Sequence, residues 1–276
     1  MRFLSRLIGV SVCVTGFFTC MPAMAIDGVI EINQARAEEG SVSFGDDPGF
    51  PVSLTKPGSY RLTGNLNVER TTNAIFIDSR YVTLDLNGFS IIGPVTCTPG
   101  TSTCSPSGSG GKGGISMSNS SHFLTIKNGT ITGTGGTGIF CSNADACTIE
   151  NLTVSHNAST GIAGGHRSSI RNCSVHSNGG DGISATDSSI VDNNMINLNG
   201  GRGLYARSSG NIVTSNVFYR NGTTEIDMNS VITAIGGNSF DPVVNGNWFD
   251  NNSKMTEISP NLCIDGSAPY TNCTGL

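Results

Sequence analysis

Charged and aromatic side chains are scarce in this sequence, since 13% of its residues are charged, 7% are aromatic and one is Trp. No run of Lys or Arg forms a basic patch, which argues against a nucleic-acid partner. Helical periodicity is absent from most of the chain. Gly, Ser, Thr and Asn are abundant instead, and the apolar residues recur too regularly for a disordered chain.

A long apolar run is found only at the N-terminus, and it is short for a membrane span. Residues 1–25 combine Arg2 and Arg6, an apolar stretch and the small-residue site Ala23-Met24-Ala25. This pattern predicts a cleaved secretory signal, a mature start at Ile26 and a secreted or periplasmic protein without a membrane partner. Cleavage leaves thirteen basic residues against twenty acidic ones, a formal charge of about −7.

Seven cysteines follow the signal, and six of them form short local pairs. In an exported chain we expect loop-closing disulfides, namely Cys97–Cys104, Cys141–Cys147 and Cys263–Cys273. Cys173 has no local partner and is expected to be a buried thiol. The spacings are not those of a zinc ribbon or finger, so no metal site and no cofactor are predicted.

A short sequence repeat organises the chain, with a period of about 21 to 24 residues that is typical of stacked architectures. Its clearest mark is a recurring pair of a small and an apolar residue. The first interval between pairs is nearly twice as long as the others, because it contains an insertion with Cys97 and Cys104. The last pair, Glu225-Ile226, is degenerate. The pairs begin at Ala74, Gly114, Gly138, Gly161, Gly182, Gly203 and Glu225.

Two further columns run beside these pairs. One is an asparagine ladder, Asn157, Asn178, Asn199 and Asn221, which resumes at Asn252; the other is apolar, with Ile126, Ile149, Ile170, Val191 and Val213. Each repeat therefore offers short strands separated by Gly, Asn and Ser turns. The leucine pattern of leucine-rich repeats is missing, and a propeller blade would need about twice this period.

Coils of this length, rich in Val and Ile with Asn at turns, resemble the right-handed parallel β-helix family that includes pectate-lyase-like proteins. The resemblance implies an all-β solenoid of about seven coils over residues 59–252. Residues 26–58, with a helical stretch around Ile32 to Glu39, would cap the first coil, and residues 253–276 would cap the last. Such caps keep the open ends of a β-helix from pairing with other chains.

One outward column alternates in sign, with Lys127, Glu150, Arg171 and Asp192, and Asp85 extends it. Neighbouring strands lie about 4.8 Å apart, so these side chains should pair and oppose a slip in register. We therefore expect Glu150 to support the fold.

If the chain had an enzymatic activity of this family, its sequence should contain the corresponding active-site motif. Neither the calcium ligands and basic residue of pectate lyases nor the clustered aspartates of polygalacturonases occur in order. "GGHR" at residues 164–167 is only a faint match to a histidine motif, Asp46-Asp47 lies upstream of the coils, and Asp241-Pro242 lacks the histidine of an epimerase motif. The catalytic residues, if there are any, are unknown.

A local concentration of reactive side chains remains. We predict a substrate-binding site at Asp181, Arg202, Tyr205, Arg207, Asp227 and His166, with Asp187 and Glu225 nearby, because carboxylate, guanidinium and phenol groups together can hold a sugar and move a proton. For Asp181 and Arg202 the alternative is a salt bridge between coils. His176, beside Ser155, Asn197 and Tyr219 of neighbouring coils, is a weaker candidate.

Two functions remain open. The first is a secreted protein that binds an extracellular polysaccharide and at most processes it, with lyase, hydrolase or epimerase chemistry. The second is a non-catalytic structural or cell-surface interaction protein. The oligomeric state is not predicted.

Overall fold

A computed structural model describes residues 28–43, 45–107, 111–228, 233–240, 249–250, 255–257, 261–263 and 271–272. The predicted signal, the predicted start at Ile26, the ladder position Asn252 and the disulfide partner Cys273 lie outside these residues. No helix in the described ranges is long and apolar enough to cross a membrane.

A right-handed β-solenoid forms the body of the chain, as predicted, and one of its two walls is a short-strand sheet. In this sheet each coil contributes one strand, paired in parallel with the next coil. Its nine described strands enclose eight coils, one more than the repeat pattern predicts. The strands are β2 (Val52–Leu54), β5 (Ile75–Ile77), β10 (Ile115–Met117), β12 (Ile139–Phe140), β14 (Ile162–Ala163), β17 (Ile183–Ala185), β20 (Leu204–Ala206), β23 (Ile226–Met228) and β26 (Phe249–Asp250).

The second wall is a bent sheet to which most coils contribute two strands or one long bent strand. Its eighteen described strands pair in parallel, except for the last two, which pair antiparallel. They are β1 (Ile30–Ile32), β3 (Gly58–Leu62), β4 (Leu66–Asn67), β6 (Val82–Asp85), β7 (Ser90–Ile92), β11 (His122–Thr132), β13 (Asp145–Ser155), β15 (Ser169–Arg171), β16 (Ser174–His176), β18 (Ile190–Asp192), β19 (Met195–Asn197), β21 (Asn211–Thr214), β22 (Val217–Tyr219), β24 (Thr233–Gly236), β25 (Ser239–Phe240), β27 (Met255–Glu257), β28 (Leu262–Cys263) and β29 (Thr271–Asn272).

Each coil turns its corners at residues with left-handed backbone. In one coil these are Arg167, Asn172 and Ser177, with φ of 52°, 54° and 55°. Asn and Gly tolerate this conformation better than other residues. Because the corners recur at the repeat period, the polar turns between short apolar strands produce a three-sided coil.

Inward side chains stack in columns from coil to coil. Ile126, Ile149, Ile170, Val191 and Val213 are register partners in successive coils and are fully buried, which confirms the predicted apolar column. A slip of one residue would turn every one of these side chains to solvent, so burial fixes the register. Cys173 is also buried, as predicted.

Asparagine ladders run inside the solenoid rather than at its turn tips. Asn178 Nδ2 donates to Asn199 Oδ1 at 2.9 Å and to the Val154 carbonyl at 3.0 Å, and the pattern repeats along Asn157, Asn178, Asn199 and Asn221. A second, unpredicted ladder contains Asn194, Asn216, Asn238 and Asn261. Each amide satisfies backbone groups that the corners leave without sheet partners.

The N-terminal end is closed by helix α1 (Gln34–Glu39). Asn33 caps its first turn and Gly40, at φ 67°, ends it. The predicted helical stretch is confirmed, although Ile32 belongs to β1. Because β1 and β2 already lie in the two sheets, the coil architecture begins before residue 59, the predicted boundary.

The insertion in the long first interval of the repeat forms a hairpin of β8 (Thr96–Cys97) and β9 (Cys104–Ser105). The predicted disulfide Cys97–Cys104 closes it. The hairpin loop crosses later coils, since Gly100 N donates to the Leu198 carbonyl at 2.6 Å. Gly200 must be glycine here, because a Cβ would lie 2.3 Å from the Thr101 carbonyl oxygen.

Neither of the other two predicted disulfides is observed in the described residues. Cys141 and Cys147 are buried free thiols, so the predicted Cys141–Cys147 disulfide is not present. Their side chains do meet: burial, followed by the contact with Cys147, raises the pKa of the Cys141 thiol well above its usual range. Short spacing brought the two sulfurs together, but both lie in the apolar interior instead of closing a surface loop. Cys263–Cys273 involves a residue outside the described ranges and stays a prediction.

Candidate functional site

Five of the six predicted site residues come together on the outer surface of the short-strand sheet. Tyr205 and Asp227 are register partners in β20 and β23, and both side chains point outward. Asp181 and Arg202 precede the strands of their own coils. Arg207 follows Tyr205 by two residues and lies just beyond the end of β20.

Arg202 lies between two carboxylates from neighbouring coils. Its Nε is 2.6 Å from Asp227 Oδ2, and its Nη1 is 3.4 Å from Asp181 Oδ2. Its backbone N also donates to Asp181 Oδ1 at 2.8 Å. The carboxylates are mostly buried, with side-chain exposures of 17% for Asp181 and 15% for Asp227. This cluster of three charges ties three coils together, which supports the structural alternative for Asp181 and Arg202.

Tyr205 lies beneath two guanidinium groups. The Cζ atom of Arg202 is 4.0 Å from the ring centroid, and that of Arg207 is 5.2 Å away. Such contacts stabilise by about 0.5–1 kcal/mol at exposed sites. Tyr205 therefore positions two cations, and Arg202 covers a ring face that a sugar would otherwise use.

Arg207 is the cation of this group that remains available. Its residue is exposed, and its guanidinium has no hydrogen bond or ion pair with any residue that the structure describes. Contact with Tyr205 holds the side chain without using its N–H donors. Arg207 can therefore donate to an anionic or hydroxyl oxygen of a ligand.

His166, the sixth predicted residue, lies in a separate cluster. His166 Nδ1 is 3.2 Å from Asp187 Oδ2, and both side chains are about half-exposed. A hydrogen bond from Ser208, together with the charge of and hydrogen bond from His166, lowers the pKa of the Asp187 carboxyl below its usual value. An ionised Asp187 would hold the Nδ1–H tautomer of His166 and leave Nε2 to accept a proton.

The two clusters adjoin each other. β17 and β20 pair up to Ala185 and Ala206, and just beyond them the side chain of Ser208 hydrogen-bonds to Asp187. Arg207 is the residue before Ser208, so it lies beside the cluster of His166 and Asp187. His166, Asp187, Tyr205 and Arg207 thus lie on one side of the solenoid within three coils. We refer to these four residues as the charged surface.

Sequence reasoning missed three members of this region. Asp145 forms an ion pair with Arg167 and a backbone bridge with His166, and Ser208 contacts Asp187. Asp145, His166, Asp187 and Ser208 occupy the same position in four successive repeats, so the repeat period itself could have found the column.

The sign-alternating column has the predicted register but not the predicted ion pairs. Lys127 is the partner of Glu150 and of Asp85, and Arg171 is the partner of Asp192. Within the described residues none of these charges comes within 4.0 Å of another. Arg171 contacts Ser169, and Asp192 accepts a hydrogen bond from Thr214 at 2.8 Å. An exposed ion pair gains little free energy because both charges stay solvated, so Arg171 and Asp192 hydrogen-bond to nearby hydroxyl groups instead.

His176, the weaker candidate, meets another histidine rather than an acid. Its ring centroid is 6.1 Å from that of His156. Burial, followed by the charge of His156, lowers the pKa of His176. Among the described residues no three His, Cys, Asp or Glu side chains come close enough to hold a metal ion.

Comparisons with known proteins bear mainly on the fold. A family profile described as "right handed beta helix region" matches residues 113–270, more than half of the chain. No curated protein matches the sequence. Among solved structures, the A-module of the Azotobacter vinelandii mannuronan C-5 epimerase AlgE4 aligns with a TM-score of 0.32 and 12% identity, over 78% of this chain and 77% of that one. At this level of similarity no activity can be inferred.

Proposed function

This chain belongs to the right-handed β-helix family, and we propose that it is an exported protein that binds a polysaccharide on its charged surface. The fold alone does not assign this function, because one fold hosts many activities. The proposal rests on a single observation at Arg207. In a chain with few charges, this exposed guanidinium is held by an aromatic ring and lacks an acidic partner among the described residues.

The neighbours of Arg207 fit a glycan ligand. His166 and Asp187 add a ring nitrogen and carboxylate oxygens that are about half-exposed and lie within reach of the same extended ligand. Sugar hydroxyls both donate and accept hydrogen bonds, so they suit a surface that mixes donors and acceptors. Export is supported by the apolar N-terminal stretch and its Ala-Met-Ala site.

Turnover of the polysaccharide is a second candidate, favoured by the contact between His166 and Asp187. With Asp187 ionised, His166 Nε2 is the atom that would take a proton from a bound sugar. If the protein turns the polysaccharide over, His166→Gln will abolish product formation; if the protein only binds, the unmodified protein will form no product either.

The test is a panel of acidic and neutral polysaccharides: polygalacturonate, alginate, xylan and β-glucan. Binding is measured by calorimetry, and turnover by unsaturated products and reducing ends. We expect Arg207→Ala to weaken binding about tenfold, as loss of one charge-assisted hydrogen bond would. Arg220→Ala is the matched control, because Arg220 is exposed and lies over Tyr219 on the other wall.

The control should bind as the unmodified protein does. If both variants bind with the affinity of the unmodified protein, the charged surface is not the binding site. If no polysaccharide binds at all, the non-catalytic structural function becomes the better explanation.

A further inference from the structure

We infer that a pocket at Phe140, on the same face as Tyr205, holds one sugar ring of the polysaccharide, so that the ligand extends from there to Arg207. This inference rests on the proposed function. The pocket measures about 210 Å³ and lies beside β10 and β12. Its lining includes Asn73, Lys112, Gly113, Ser116, Thr137 and Phe140.

The size of the pocket limits what it can hold. Sites for drug-sized ligands have volumes of about 300–1,000 Å³. A pocket of about 210 Å³ falls below that range, so it fits one ring of a chain rather than a larger compact ligand. The rest of the ligand must lie on the open surface.

Polar groups without partners line the pocket. Ser116 Oγ is buried and has no hydrogen-bond partner among the described residues. Asn73 Oδ1 accepts from Gly113 N at 2.8 Å, while no hydrogen bond from its side-chain NH₂ to a described residue is found. A buried hydroxyl without a hydrogen-bond partner is unfavourable, because it has lost its contacts with water and gained none in return. A sugar ring would satisfy both groups, because each of its hydroxyls can donate and accept.

Phe140 supplies the apolar side of the pocket. It points outward from β12 in the same column as Ser116 and is half-buried, so part of its ring reaches solvent. The C–H bonds on one face of a pyranose ring can pack against an aromatic ring, whose face carries negative charge. Lys112, which is exposed at the rim, adds a cation for ring oxygens or an acidic substituent.

The distance between Phe140 and Tyr205 requires a chain of sugars. Their strands are three coils apart, with Ala163 and Ser184 as the outward residues between them. Three strand spacings amount to about 14 Å. Ala163 and Ser184 are small, so neither side chain projects into the path; because they are only 6% and 3% exposed, the oligosaccharide must cross the neighbouring side chains that cover them. A monosaccharide cannot touch both ends, but an oligosaccharide can.

The experiment uses oligosaccharides of increasing length from each polysaccharide of the panel, namely polygalacturonate, alginate, xylan and β-glucan, titrated calorimetrically into the purified protein. In the series that binds, we expect affinity to rise with length until both ends are filled. Phe140→Ala should lower the affinity of the long members about tenfold and leave that of the shortest bound member within twofold. Tyr219→Ala, an outward half-buried aromatic on the other wall, is the matched control.

Lys112→Ala is a second variant, since an exposed side chain can be removed without risk to the fold. It should weaken long oligosaccharides and spare short ones, as Phe140→Ala does. The inference is overturned if long oligosaccharides bind no better than short ones, or if both variants bind every length as the unmodified protein does. Absence of binding in all series would instead contradict the proposed function itself.

Discussion

At the residue scale, the role inferred for Arg202 depends on which side chains contact it in the folded protein. Sequence reasoning placed it in a binding site because it lies near Tyr205. In the fold it is held by Asp181 and Asp227 from the coils on either side. Glu150, by contrast, was expected to support the fold but makes no ion pair with a described residue. Ion pairs between coils therefore form at Arg202 and not at Glu150 within the described residues.

We predict that Arg202→Ala lowers the free energy of unfolding by about 1–3 kcal/mol, between the values typical of exposed and of buried ion pairs. The loss arises because two mostly buried carboxylates remain without their cation. Glu150→Lys, which adds a like charge to a solvated column, should cost less than about 1 kcal/mol. Urea unfolding of both variants provides the measurement. A larger loss for Glu150→Lys would restore the sign-alternating column as the structural one.

His176 gives a second prediction at this scale, one that concerns pH. Its folded pKa is lowered by burial and then by His156, so the fold favours the neutral ring. The unfolded chain binds this proton near pH 6.5. Stability linked to His176 is thus complete above that pH and falls as the pH drops below it, until the folded state is protonated as well.

The slope of unfolding free energy against pH between 7.5 and 5 measures this linkage. His176→Gln should flatten the slope, because it removes the group whose pKa differs between the folded and unfolded states. An unchanged slope in His176→Gln would show that another group causes the acid loss.

At the scale of the element, the asparagine ladder is the feature that joins coil to coil inside the turns. Asn199 accepts from the side chain and backbone N of Asn178, and its Nδ2 donates to Asn221 and to the Val175 carbonyl. The described ladder ends on Glu225, a fully buried residue whose carboxylate accepts from Asn221. The degenerate repeat pair Glu225-Ile226 is therefore the place where an acid takes over the ladder's acceptor role.

We predict that Asn199→Ala lowers the free energy of unfolding by about 3–5 kcal/mol, because several buried donors and acceptors lose their partners at once. Asn193→Ala is the matched control. Asn193 sits at an exposed corner with φ 53° and makes one side-chain hydrogen bond to Asn172. Its loss should cost about 1 kcal/mol, mainly from the left-handed backbone. Equal losses in chemical denaturation would mean that the ladder adds nothing beyond its corner geometry.

At the scale of the whole molecule, the solenoid is a stack in which each coil contacts mainly its neighbours, closed at the N-terminal end by α1. The hairpin that contains Cys97 and Cys104 is an exception, because Ser102 Oγ donates to the Gly200 carbonyl at 3.4 Å, 98 residues away. This insertion links an early coil to coils near the charged surface.

Export also belongs to this scale. We predict that the exported protein begins at Ile26, because Ala23-Met24-Ala25 is a small-residue cleavage site after an apolar stretch. Intact mass and N-terminal peptide mapping of protein recovered from the periplasm or medium provide the check. Replacing Ala25 with Arg should block processing, and an exported chain that keeps Met1 would contradict the prediction.

The sequence by itself determined the solenoid, the faces of its strands and which of the candidate site residues lie in neighbouring coils. A regular repeat places equivalent residues one above another, so Ile149, Ile170 and Val191 had to share a column once the coils stacked. The same period places Tyr205 beside Asp227 and His166 beside Asp187, independently of the contacts that their side chains make. Periodicity fixes columns because each coil must return the chain to the same edge of the sheet.

Only the tertiary structure decided which neighbours pair and which side chains are buried. Arg202 pairs with two carboxylates, while Glu150 pairs with no cation among the described residues. Ion pairing depends on the length of each side chain and on how much of its hydration is lost. Cys141 and Cys147 meet as thiols in the core, and the asparagines turn inward to serve the corners. The repeat stacks Gly114-Ile115 on Gly138-Ile139, but only the tertiary structure shows that a pocket forms beside these strands at Phe140.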